Sequence, residues 1–566
     1  MSATDHSAIR PLPRHGPRGR QVDPKALAEL TRLLGGTGLR KDQLVEYLHR
    51  IQDRFGAISK GQLCALASLL GLSQADVWDV ASFYAHFNLV EDEQRPSTKP
   101  IRVRVCTNPS CAMAGAESLW NSLSQTPAAG VQVERSPCIG HCTGAPAVQV
   151  GENSLQYASV ESVQAAIASG DCAPRIPAGL GLEGYRTGGG YRLLERCRNH
   201  SLQAQQVIDE LELAGLRGLG GAGFPAARKW QSVRQQTGPR YLVVNADEGE
   251  PGTCKDRHYL ESDPHRMLEG MLVAAWVVDA QRCYLYLRDE YPGIRQLLIT
   301  EIAALEREQI IPAGYVELRR GAGAYICGEE SALIESLEGK RGFPRQRPPF
   351  VAEQGLFGQP TLVNNVETLY RVREILEHGG QWFSDLGRRG QQGVLSFSVS
   401  GRVQNPGVKQ APAGITLQEL IDEYCGGMSE GHRLAAYLPG GASGGILPAR
   451  LANLPLGFGT LQEHGCFIGS AAVLVLSDQD DLRGLVKNLT HFFREESCGQ
   501  CSPCRLGSDR LLRLVGERQW NHELIKELAE LMADSSICGL GQAACNPALS
   551  IIRFFPELLA AKENHP

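Results

Sequence analysis

The stretch EESCGQCSPCRLG, residues 495–507, places three thiols two residues apart in succession, at Cys498, Cys501 and Cys504. Such a run occurs in disulfide staples, in zinc sites and in iron–sulfur sites. The three possibilities predict different classes of protein. The choice among them depends on a further ligand and on the rest of the chain.

Two cysteines further along the chain are candidates for the fourth ligand. Cys538 lies in SSICGLGQ, and Cys545 follows it in QAACNP. Three clustered thiols with one remote thiol suit a [4Fe–4S] cubane, because one loop holds three irons and a second loop reaches the fourth. Zinc also takes four thiolates, but the tight spacing leaves little slack for a tetrahedron. We predict a [4Fe–4S] cluster on Cys498, Cys501, Cys504 and Cys538, with zinc and Cys545 as the alternatives.

Length, charge and cysteine content restrict the class of protein. The chain has 566 residues and a net charge of −5 at pH 7, so we expect several domains and no nucleic acid as the main partner. No apolar run is long enough to cross a bilayer, and the N-terminus lacks the apolar segment of a signal peptide. We therefore expect a cytoplasmic protein without a membrane partner. In that compartment the 17 cysteines serve metals or redox chemistry before disulfides.

The N-terminal part of the chain changes character twice. A Pro/Arg-rich stretch predicts a disordered arm over residues 1–35, and apolar residues at helical spacing predict a helical bundle over residues 36–97. In IRVRVC, residues 101–106, apolar and basic residues alternate as in a half-buried strand. With the helix and two strands that follow, residues 98–168 predict a thioredoxin-like fold.

Two cysteine pairs lie in loops that follow strands of this unit. Four residues separate Cys106 from Cys111, and three separate Cys138 from Cys142. These gaps are wider than the knuckles of structural zinc, and each pair can hold one iron of an elongated cluster. We predict a [2Fe–2S] cluster on these four thiols, with zinc as the alternative.

A glycine-rich motif, AGLRGLGGAGFP, occupies residues 214–225. It contains G-x-G-x-x-G at Gly218, Gly220 and Gly223, with Asp247 downstream, a pattern shared with Rossmann dinucleotide sites. That motif must follow a strand, whereas QQVIDELELAG before it has the spacing of an amphipathic helix. The sequence therefore argues against a Rossmann site, and a tight structural turn is the simplest alternative.

Polar loops follow apolar segments at three further places. They are YLVVNADEGEPG (residues 241–252), GAGAYICGEES (321–331) and PTLVNNVETL (360–369). Glycine-bounded polar loops of this kind build a ligand pocket more often than isolated surface carboxylates do, and their glycines let backbone N–H groups approach a phosphate. We predict that these loops and the glycine-rich motif form one nucleotide pocket.

Two parts of the chain resemble known families. FGAISKGQLCALASLLGLSQADVWDVASFYAHF, followed by CTNPSC and CIGHC, resembles the 24-kDa-type subunit of respiratory complex I. The glycine-rich motif and the three polar loops resemble the 51-kDa-type flavoprotein subunit of complex I and its soluble relatives. The clean alternation in GVLSFSVSGRV fits a small β-rich domain.

The resemblance implies a multidomain α/β and α+β protein. Its expected parts are the helical bundle (36–97), a thioredoxin-like [2Fe–2S] domain (98–168), a linker (169–190), a non-Rossmann α/β domain for FMN and NADH (191–391), a ubiquitin-like β-grasp domain of SLBB type (392–475) and a C-terminal helical bundle with the [4Fe–4S] cluster (476–566).

Carried over residue by residue, the resemblance implies contacts to both nucleotides. It implies no catalytic acid or base, because hydride transfer needs none from the protein. The FMN contacts would be Gly218, Gly220, Gly221, Lys229, Asn245, Asp247, Glu248, Gly328, Asn364, Asn365 and Thr368. The NADH contacts would be Phe224, Glu250, Glu330, Arg347 and Phe350. Aromatic rings can stack on adenine, and carboxylates can accept hydrogen bonds from ribose hydroxyls.

The implied activity is that of an NADH/NAD⁺ oxidoreductase, a diaphorase, in which FMN exchanges hydride with NAD(H) and single electrons with clusters. GLRGLGGAGFP, RDEYPG and GGYRLLERC resemble the β subunit of soluble NAD-dependent molybdenum or tungsten formate dehydrogenase. The resemblance implies formate:NAD⁺ oxidoreductase activity, with a large partner subunit that carries a metal–pterin centre and iron–sulfur clusters. A diaphorase subunit of an NAD-reducing [NiFe] hydrogenase, a complex I peripheral-arm module and a zinc-stapled scaffold without redox activity are the alternatives.

Overall fold

The computed structural model describes residues 19–125 and 128–559, which form five units in chain order. The first half of the predicted arm, residues 1–18, lies outside the described residues. None of the described helices combines the length and apolar character that a bilayer span needs.

The first described unit is the predicted helical bundle, which begins earlier than expected. Asp23 caps its first helix, and Ala26, Leu30 and Leu34 are buried along one face. The arm predicted up to residue 35 is therefore corrected, because these apolar residues at helical spacing join the core. The elements are α1 (Pro24–Leu34), α2 (Leu44–Phe55), β1 (Ile58–Ser59), α3 (Lys60–Leu70), α4 (Gln74–Phe83) and β2 (Leu89–Val90).

The second unit is a thioredoxin-like sheet with helices packed on it. Its elements are β3 (Ile101–Cys106), α5 (Pro109–Met113), α6 (Ala116–Gln125), β4 (Val131–Ser136), β5 (Val148–Val150), β6 (Asn153–Leu155) and α7 (Val160–Ser169). The strand order is β4-β3-β5-β6, with β3 parallel to β4 and antiparallel to β5. Val103 and Val105 on β3 are buried, as the alternating pattern predicts.

The segment predicted as a linker, residues 169–190, is partly helical and packed against the protein. It contains α8 (Leu182–Thr187), which buries Tyr185 in the main core. The Tyr185 hydroxyl donates to Glu269 Oε2 at 2.6 Å. Glycine and proline here allow close packing rather than free motion, which composition alone does not distinguish.

The third unit is an α/β domain around one parallel sheet. Its elements are α9 (Arg192–Arg198), α10 (Ala204–Leu213), α11 (Ala226–Arg234), β7 (Arg240–Ala246), α12 (Lys255–Ser262), α13 (Pro264–Val278), β8 (Ala280–Leu287), α14 (Pro292–Arg307), β9 (Val316–Arg320), α15 (Glu330–Leu337), β10 (Thr361–Asn365), α16 (Val366–His378) and α17 (Gly380–Ser384). The strand order is β10-β7-β8-β9. The chain moves from β7 through β8 to β9 and then returns to the other side of β7, so the order reverses between β7 and β10.

Both faces of this parallel sheet are buried. On β7, Leu242 and Val244 pack in one core with α13 and α16. Val243 points to the opposite face and belongs to the core that the sheet shares with α15, the N-terminal bundle and the C-terminal helices. A parallel sheet covered on both faces presents polar groups mainly at its edges and ends.

The fourth unit is a β-grasp sheet whose polar face is an interface. Its elements are β11 (Val394–Gly401), β12 (Gly407–Pro412), α18 (Leu417–Glu419), β13 (Leu434–Leu438), β14 (Leu447–Pro448) and β15 (Ala472–Ser477), in strand order β12-β11-β15-β13-β14. The serines that alternate along β11 are buried too. Ser398 Oγ accepts from Cys254 N at 3.0 Å, and Ser400 Oγ lies 3.0 Å from Ser110 Oγ. These hydroxyls join the β-grasp unit to the α/β domain and to the thioredoxin-like unit.

The fifth unit is the predicted C-terminal bundle. Its helices are α19 (Leu482–Glu495), α20 (Ser502–Gly516), α21 (His522–Ser535), α22 (Gly539–Ala543) and α23 (Asn546–Phe554). The triple-thiol stretch lies between α19 and α20. Cys538, the remote cysteine, occupies the N-cap position of α22.

A buried arginine fixes the N-terminal bundle to the sheet. Arg319 on β9 is 1% exposed, and its guanidinium contacts Glu46 at 3.1 Å and Glu317 at 2.7 Å. It also contacts Asp42 at 2.5 Å. Three carboxylates of two units therefore share one cation that water does not reach.

We expect Arg319→Ala to lower the free energy of unfolding by about 3 kcal/mol, because it leaves these partly buried carboxylates without their shared partner. Chemical denaturation measures the loss. The matched control is Arg433→Ala, whose side chain is 87% exposed in its pair with Asp478; it should cost about 0.5 kcal/mol or less. Equal losses in the two variants would contradict this role of Arg319.

Candidate functional site

The polar loops predicted to form one pocket meet where the strand order reverses. Asn245 is the second-to-last residue of β7 and Asn365 is the last residue of β10, and the two residues are paired in register. Asn245 Nδ2 donates to the carbonyl of Gly328 at 2.8 Å, which fixes the loop after β9. Asn365 Oδ1 accepts from Glu367 N at 3.0 Å and caps α16. Ligands of open α/β sheets bind in the crevice at such a reversal.

The glycine-rich loop between α10 and α11 lies against this crevice. Leu219 N donates to Thr368 Oγ1 at 2.9 Å, which ties the loop to α16. A Cβ at Gly220 would stand 3.3 Å from the Cβ of Asn365, and Gly221 has a φ of +130°. Backbone rather than side chain therefore faces Asn365 here. The predicted helix before the loop is confirmed as α10, so the motif does not follow a strand.

Charged side chains predicted to contact the nucleotides are drawn together beside the crevice. Lys229 Nζ donates to Glu330 Oε2 at 2.7 Å. The guanidinium of Arg347 lies 3.3 Å from Glu330 and also contacts Glu329. Burial opposes ionisation of Glu330, but the Lys229 ammonium outweighs it and holds the pKa of that carboxyl below its usual value. Lys229 and Arg347 therefore both pair with Glu330, and a polar ligand could replace either of these ion pairs.

Two aromatic rings predicted for nucleotide stacking are exposed. The relative exposures of Phe224 and Phe350 are 55% and 53%. Phe224 belongs to the glycine-rich loop, and Phe350 follows Arg347 by three residues. An exposed ring beside a polar crevice is suited to stack on a planar base.

Asp247 has a buried carboxyl atom without a protein partner. Its Oδ2 makes no hydrogen bond within the described residues. Burial raises the pKa of Asp247 to about 8, so the carboxyl holds a proton at neutral pH. A buried group of this kind fits a ligand that supplies the missing partner. Asp247, Asn245 and the glycine-rich loop thus fit a flavin nucleotide.

Two other predicted contact residues already have protein partners. The Glu248 carboxylate accepts from Asp256 N at 2.8 Å and Arg257 N at 3.1 Å, at the start of α12. Burial raises the pKa of Glu248 to about 7. Glu250 Oε1 accepts from the backbone and hydroxyl of Ser443 at 2.9 and 2.8 Å. A nucleotide contact at either residue would use its backbone or replace these bonds.

Two residues that the sequence analysis did not single out, Trp230 and Lys255, form hydrogen bonds with the asparagines at the end of β10. Trp230 is fully buried, and its Nε1 donates to Asn364 Oδ1 at 2.8 Å. Lys255 Nζ lies 2.8 Å from Asp256 Oδ1 and donates to Asn365 Oδ1 at 3.3 Å. Lys255 and Asn365 are 110 residues apart in sequence. The polar stretch TCKDR, residues 253–257, was the available signal in the sequence, but it does not show that Lys255 contacts Asn365.

The four thiols predicted for a two-iron cluster are buried together. Cys138 Sγ lies 3.2 Å from Cys142 Sγ. Hydrogen bonds from the thiols of Cys106 and Cys142 hold the pKa of Cys138 well below its usual value. Cys111 is buried in the same unit. Mutually bonded thiols in one buried place fit a cluster that would take them as thiolates.

The four thiols predicted for a four-iron cluster line one cavity. Cys498, Cys501, Cys504 and Cys538 share its wall with Ile326, Pro344, Ser497, Gln500, Ile537 and Leu540. Burial raises the pKa of Cys504 to about 11 and of Cys538 to about 12. Cys545, the alternative ligand, is buried in the core with Cys504 but does not line the cavity.

The separation of the sulfur atoms bears on the zinc alternative. Within residues 19–125 and 128–559, the group of three His, Cys, Asp or Glu ligand atoms lying within 4.8 Å of one another is His49, His86 and Asp289. Sulfurs around tetrahedral zinc are about 3.8 Å apart, given a Zn–S distance of about 2.3 Å. The cysteines therefore do not meet in threes at zinc spacing. Iron–sulfur clusters hold the thiolates of different irons further apart.

The trio of His49, His86 and Asp289 is a polar joint between units. Asp289 accepts from Arg320 Nε at 2.5 Å and lies 2.7 Å from His86 Nδ1. His49 Nε2 lies 2.8 Å from the carbonyl oxygen of Gly321. These bonds occupy both carboxylate oxygens and dock the N-terminal bundle on the sheet.

Four parts of the chain match known protein families. The thioredoxin-like [2Fe–2S] ferredoxin family matches residues 31–170, and the Nuo51 FMN-binding domain matches residues 211–374. The SLBB domain matches residues 396–447. The iron–sulfur binding region of NADH–ubiquinone oxidoreductase-F matches residues 484–562.

Comparisons with individual proteins agree with these family matches. The chain is 43% identical over 376 residues to the mitochondrial NADH–ubiquinone oxidoreductase 51 kDa subunit of Neurospora crassa, covering 62% of this chain and 76% of the relative. It is 43% identical over 372 residues to the mitochondrial NADH dehydrogenase (ubiquinone) flavoprotein 1 of Dictyostelium discoideum, covering 62% and 78%. A chain of the crystal structure of an NAD⁺-reducing [NiFe]-hydrogenase superposes with a TM-score of 0.79 at 31% identity, covering 92% of both chains.

The family matches confirm the predicted fold class and cofactors. The chain has a thioredoxin-like [2Fe–2S] domain, an FMN-binding domain, an SLBB domain and a C-terminal helical iron–sulfur region. It binds FMN, NAD(H), one [2Fe–2S] cluster and one [4Fe–4S] cluster. Because both thiol groups lie in regions that match iron–sulfur families, these matches favour iron–sulfur clusters over the zinc-stapled scaffold.

Cys501→Ala should remove the EPR signal of the reduced [4Fe–4S] cluster, because it takes one thiol from the wall of the cavity. Bound FMN and the [2Fe–2S] signal should remain. Cys545→Ala is the matched control, since it removes a buried thiol that lies outside the wall. An unchanged four-iron signal in Cys501→Ala, or its loss in the control alone, would contradict the ligand set.

The raised pKa of Asp247 predicts how flavin binding depends on pH. Below about 8 the carboxyl is protonated, and above it a buried, unpaired negative charge faces the pocket. We expect FMN retention to fall as pH rises through that value. Asp247→Asn, the neutral isostere, should retain FMN independently of pH, as measured by flavin fluorescence after desalting. The same fall in both proteins would disprove this role of Asp247.

Proposed function

The chain belongs to the family of NADH–ubiquinone oxidoreductase 51 kDa flavoproteins, and from that premise we propose that it reduces NAD⁺ with electrons from formate. A partner subunit would oxidise the formate at a molybdenum– or tungsten–pterin centre and pass the electrons on through iron–sulfur clusters. The general activity, that of an NADH-dependent flavin and iron–sulfur oxidoreductase, follows from the family. Formate as the electron source is the specific part of the proposal.

One arrangement carries the redox part of the proposal: the crevice lies between two groups of four thiols. On one side, the loop after β9 supplies Gly328 to the crevice and Ile326 to the wall of the four-thiol cavity. On the other side, Arg288 contacts backbone carbonyls of both the loop after β7 and the loop of Cys138. A flavin in the crevice would therefore have a cluster on either side.

We assign the FMN to the glycine-rich loop and the ends of β7 and β10. The backbone at Gly218, Gly220 and Gly221 would approach the phosphate, with Lys229 to neutralise charge. Gly328, Asn364, Asn365 and Thr368 would fix the surrounding loops, and Glu248 would contribute through its backbone. Asp247 Oδ2 would hold its proton toward the ligand.

NAD(H) would lie on the more exposed side of the crevice. Phe224 and Phe350 would stack on its planar rings, and Arg347 would meet the pyrophosphate. Glu330 would accept from ribose hydroxyls, and Glu250 would position the loop after β7. These groups bind and orient the nucleotide, and none of them is needed as a catalytic acid or base.

Bound FMN would exchange hydride with NAD(H) and single electrons with the iron–sulfur clusters. The thiols of Cys106, Cys111, Cys138 and Cys142 would hold the [2Fe–2S] cluster. Those of Cys498, Cys501, Cys504 and Cys538 would hold the [4Fe–4S] cluster. Each set binds as thiolates, so loading displaces the thiol protons, and burial keeps water away from the irons.

The choice of formate rests on three stretches that resemble the β subunit of soluble formate dehydrogenase. They are residues 189–197, 215–225 and 288–293, and the last two border the crevice. We place the enzyme in the cytoplasm, because cysteines in a reducing compartment serve metals or redox chemistry before disulfides, and eight of the 17 cysteines are proposed cluster ligands.

Hydrogen is the second candidate electron source. The observation that favours it is the superposition on the NAD⁺-reducing [NiFe]-hydrogenase, which covers 92% of both chains. In that case the partner would carry nickel in place of the metal–pterin centre.

The deciding experiment isolates this chain, tagged in its native host, with the subunits that co-purify. We expect molybdenum or tungsten in the complex and NAD⁺ reduction that depends on formate. Nickel with hydrogen-dependent reduction would replace formate by hydrogen. NADH oxidation without either substrate activity would refute both electron sources while leaving the diaphorase activity intact.

A further inference from the structure

A single buried guanidinium joins the flavin crevice to the predicted two-iron site. Arg288, the first residue after β8, is 4% exposed. Its Nη1 donates to the carbonyl oxygen of Glu248, and its Nη2 donates to the carbonyl oxygen of Cys138. Glu248 belongs to the loop after β7 and Cys138 to the thioredoxin-like unit. One side chain therefore holds together two loops that are far apart in sequence.

Within residues 19–125 and 128–559, Arg288 forms one ion pair, with Glu290. Its Nε lies 3.0 Å from Glu290 Oε2. The ring of Tyr291 lies 5.0 Å from its guanidinium carbon. The two bonds to carbonyl oxygens satisfy donors but do not neutralise the charge. A buried cation therefore lies directly on the backbone of a predicted cluster ligand.

A second cation reaches the same cysteine loop less directly. Arg257 Nη1 lies 2.8 Å from His141 Nδ1, within the loop between Cys138 and Cys142. Arg257 pairs with Glu261 at 3.3 Å. Arg288 is thus the charge that contacts the ligand backbone without an intervening side chain.

The positive charge of Arg288 favours negative charge on the [2Fe–2S] cluster. Reduction by one electron adds one negative charge to the [2Fe–2S] cluster, requires no proton and leaves the guanidinium charge unchanged. Interactions between charges are strong where water is excluded. Cluster potentials respond to net charge, burial and hydrogen bonding.

We propose that Arg288 is a positioning residue that raises the reduction potential of the [2Fe–2S] cluster and holds its cysteine loop against the flavin loop. The inference rests on the proposed ligand Cys138. It goes beyond the proposed function, because it names the group that sets how readily electrons enter this cluster.

The first test is Arg288→Gln in the holoprotein, which removes the charge and keeps a donor. The [2Fe–2S] midpoint potential, measured by EPR-monitored redox titration, should become more negative by about 59 mV or more, a tenfold change for one electron. Iron and flavin contents, measured on the same sample, show whether the cofactors are present.

Glu290→Gln tests the sign of the effect. It leaves Arg288 without its counterion, so the potential should become more positive. The matched control is Arg295→Gln, which removes an arginine of the same interface. Arg295 pairs with Glu152 of the thioredoxin-like unit at 2.8 Å. Among the described residues it has no side-chain hydrogen bond to the loop of Cys138 or to the loop after β7. The control should leave the potential unchanged.

The outcomes separate this inference from the proposed function. Opposite shifts in Arg288→Gln and Glu290→Gln support the role of Arg288. Potentials equal to that of Arg295→Gln in both variants overturn it and leave the diaphorase function standing. Absence of the [2Fe–2S] cluster from the unmodified protein would instead refute the proposed ligands. If Arg288→Gln fails to assemble, Glu290→Gln decides: a positive shift supports the inference, and no shift or a negative one overturns it.

Discussion

The parallel sheet of the α/β domain is buried on both faces, and this constraint determines where a ligand can bind. Leu242 and Val243, adjacent on one strand, lie in different hydrophobic cores. Polar groups therefore collect at the carboxyl ends of the strands. The strand order reverses between β7 and β10, so the chain departs in opposite directions there and leaves a crevice. The glycine-rich loop, the asparagines and the two thiol groups are arranged around that crevice.

Local patterns in the sequence were sufficient for the main elements and for the thiol groups. The spacing around Cys498 and Cys138 depends only on neighbouring residues, and so does the helical period that argued against a Rossmann motif. The same is true of α1, whose apolar residues at Ala26, Leu30 and Leu34 were readable but were assigned to an arm. The proline and glycine content of residues 169–190 predicted a linker, but this segment packs closely against the protein.

Interactions between distant residues could not be read from the sequence. The alternating serines of β11 look like the solvent-facing side of a strand, yet Ser398 and Ser400 form hydrogen bonds with other units. Glu248 looks like a ligand contact because it lies in a polar loop, but its carboxylate accepts the backbone N–H groups that start α12. Arg288 lies 150 residues from Cys138, and no local pattern links them.

The central claim is that the crevice lies between two separate iron sites. Anomalous X-ray scattering at the iron edge, from crystals of the purified holoprotein, tests it most directly. We expect two distinct iron positions, one among Cys106, Cys111, Cys138 and Cys142 and one among Cys498, Cys501, Cys504 and Cys538. Scattering at the zinc edge in these places, or iron in only one of them, would contradict the account.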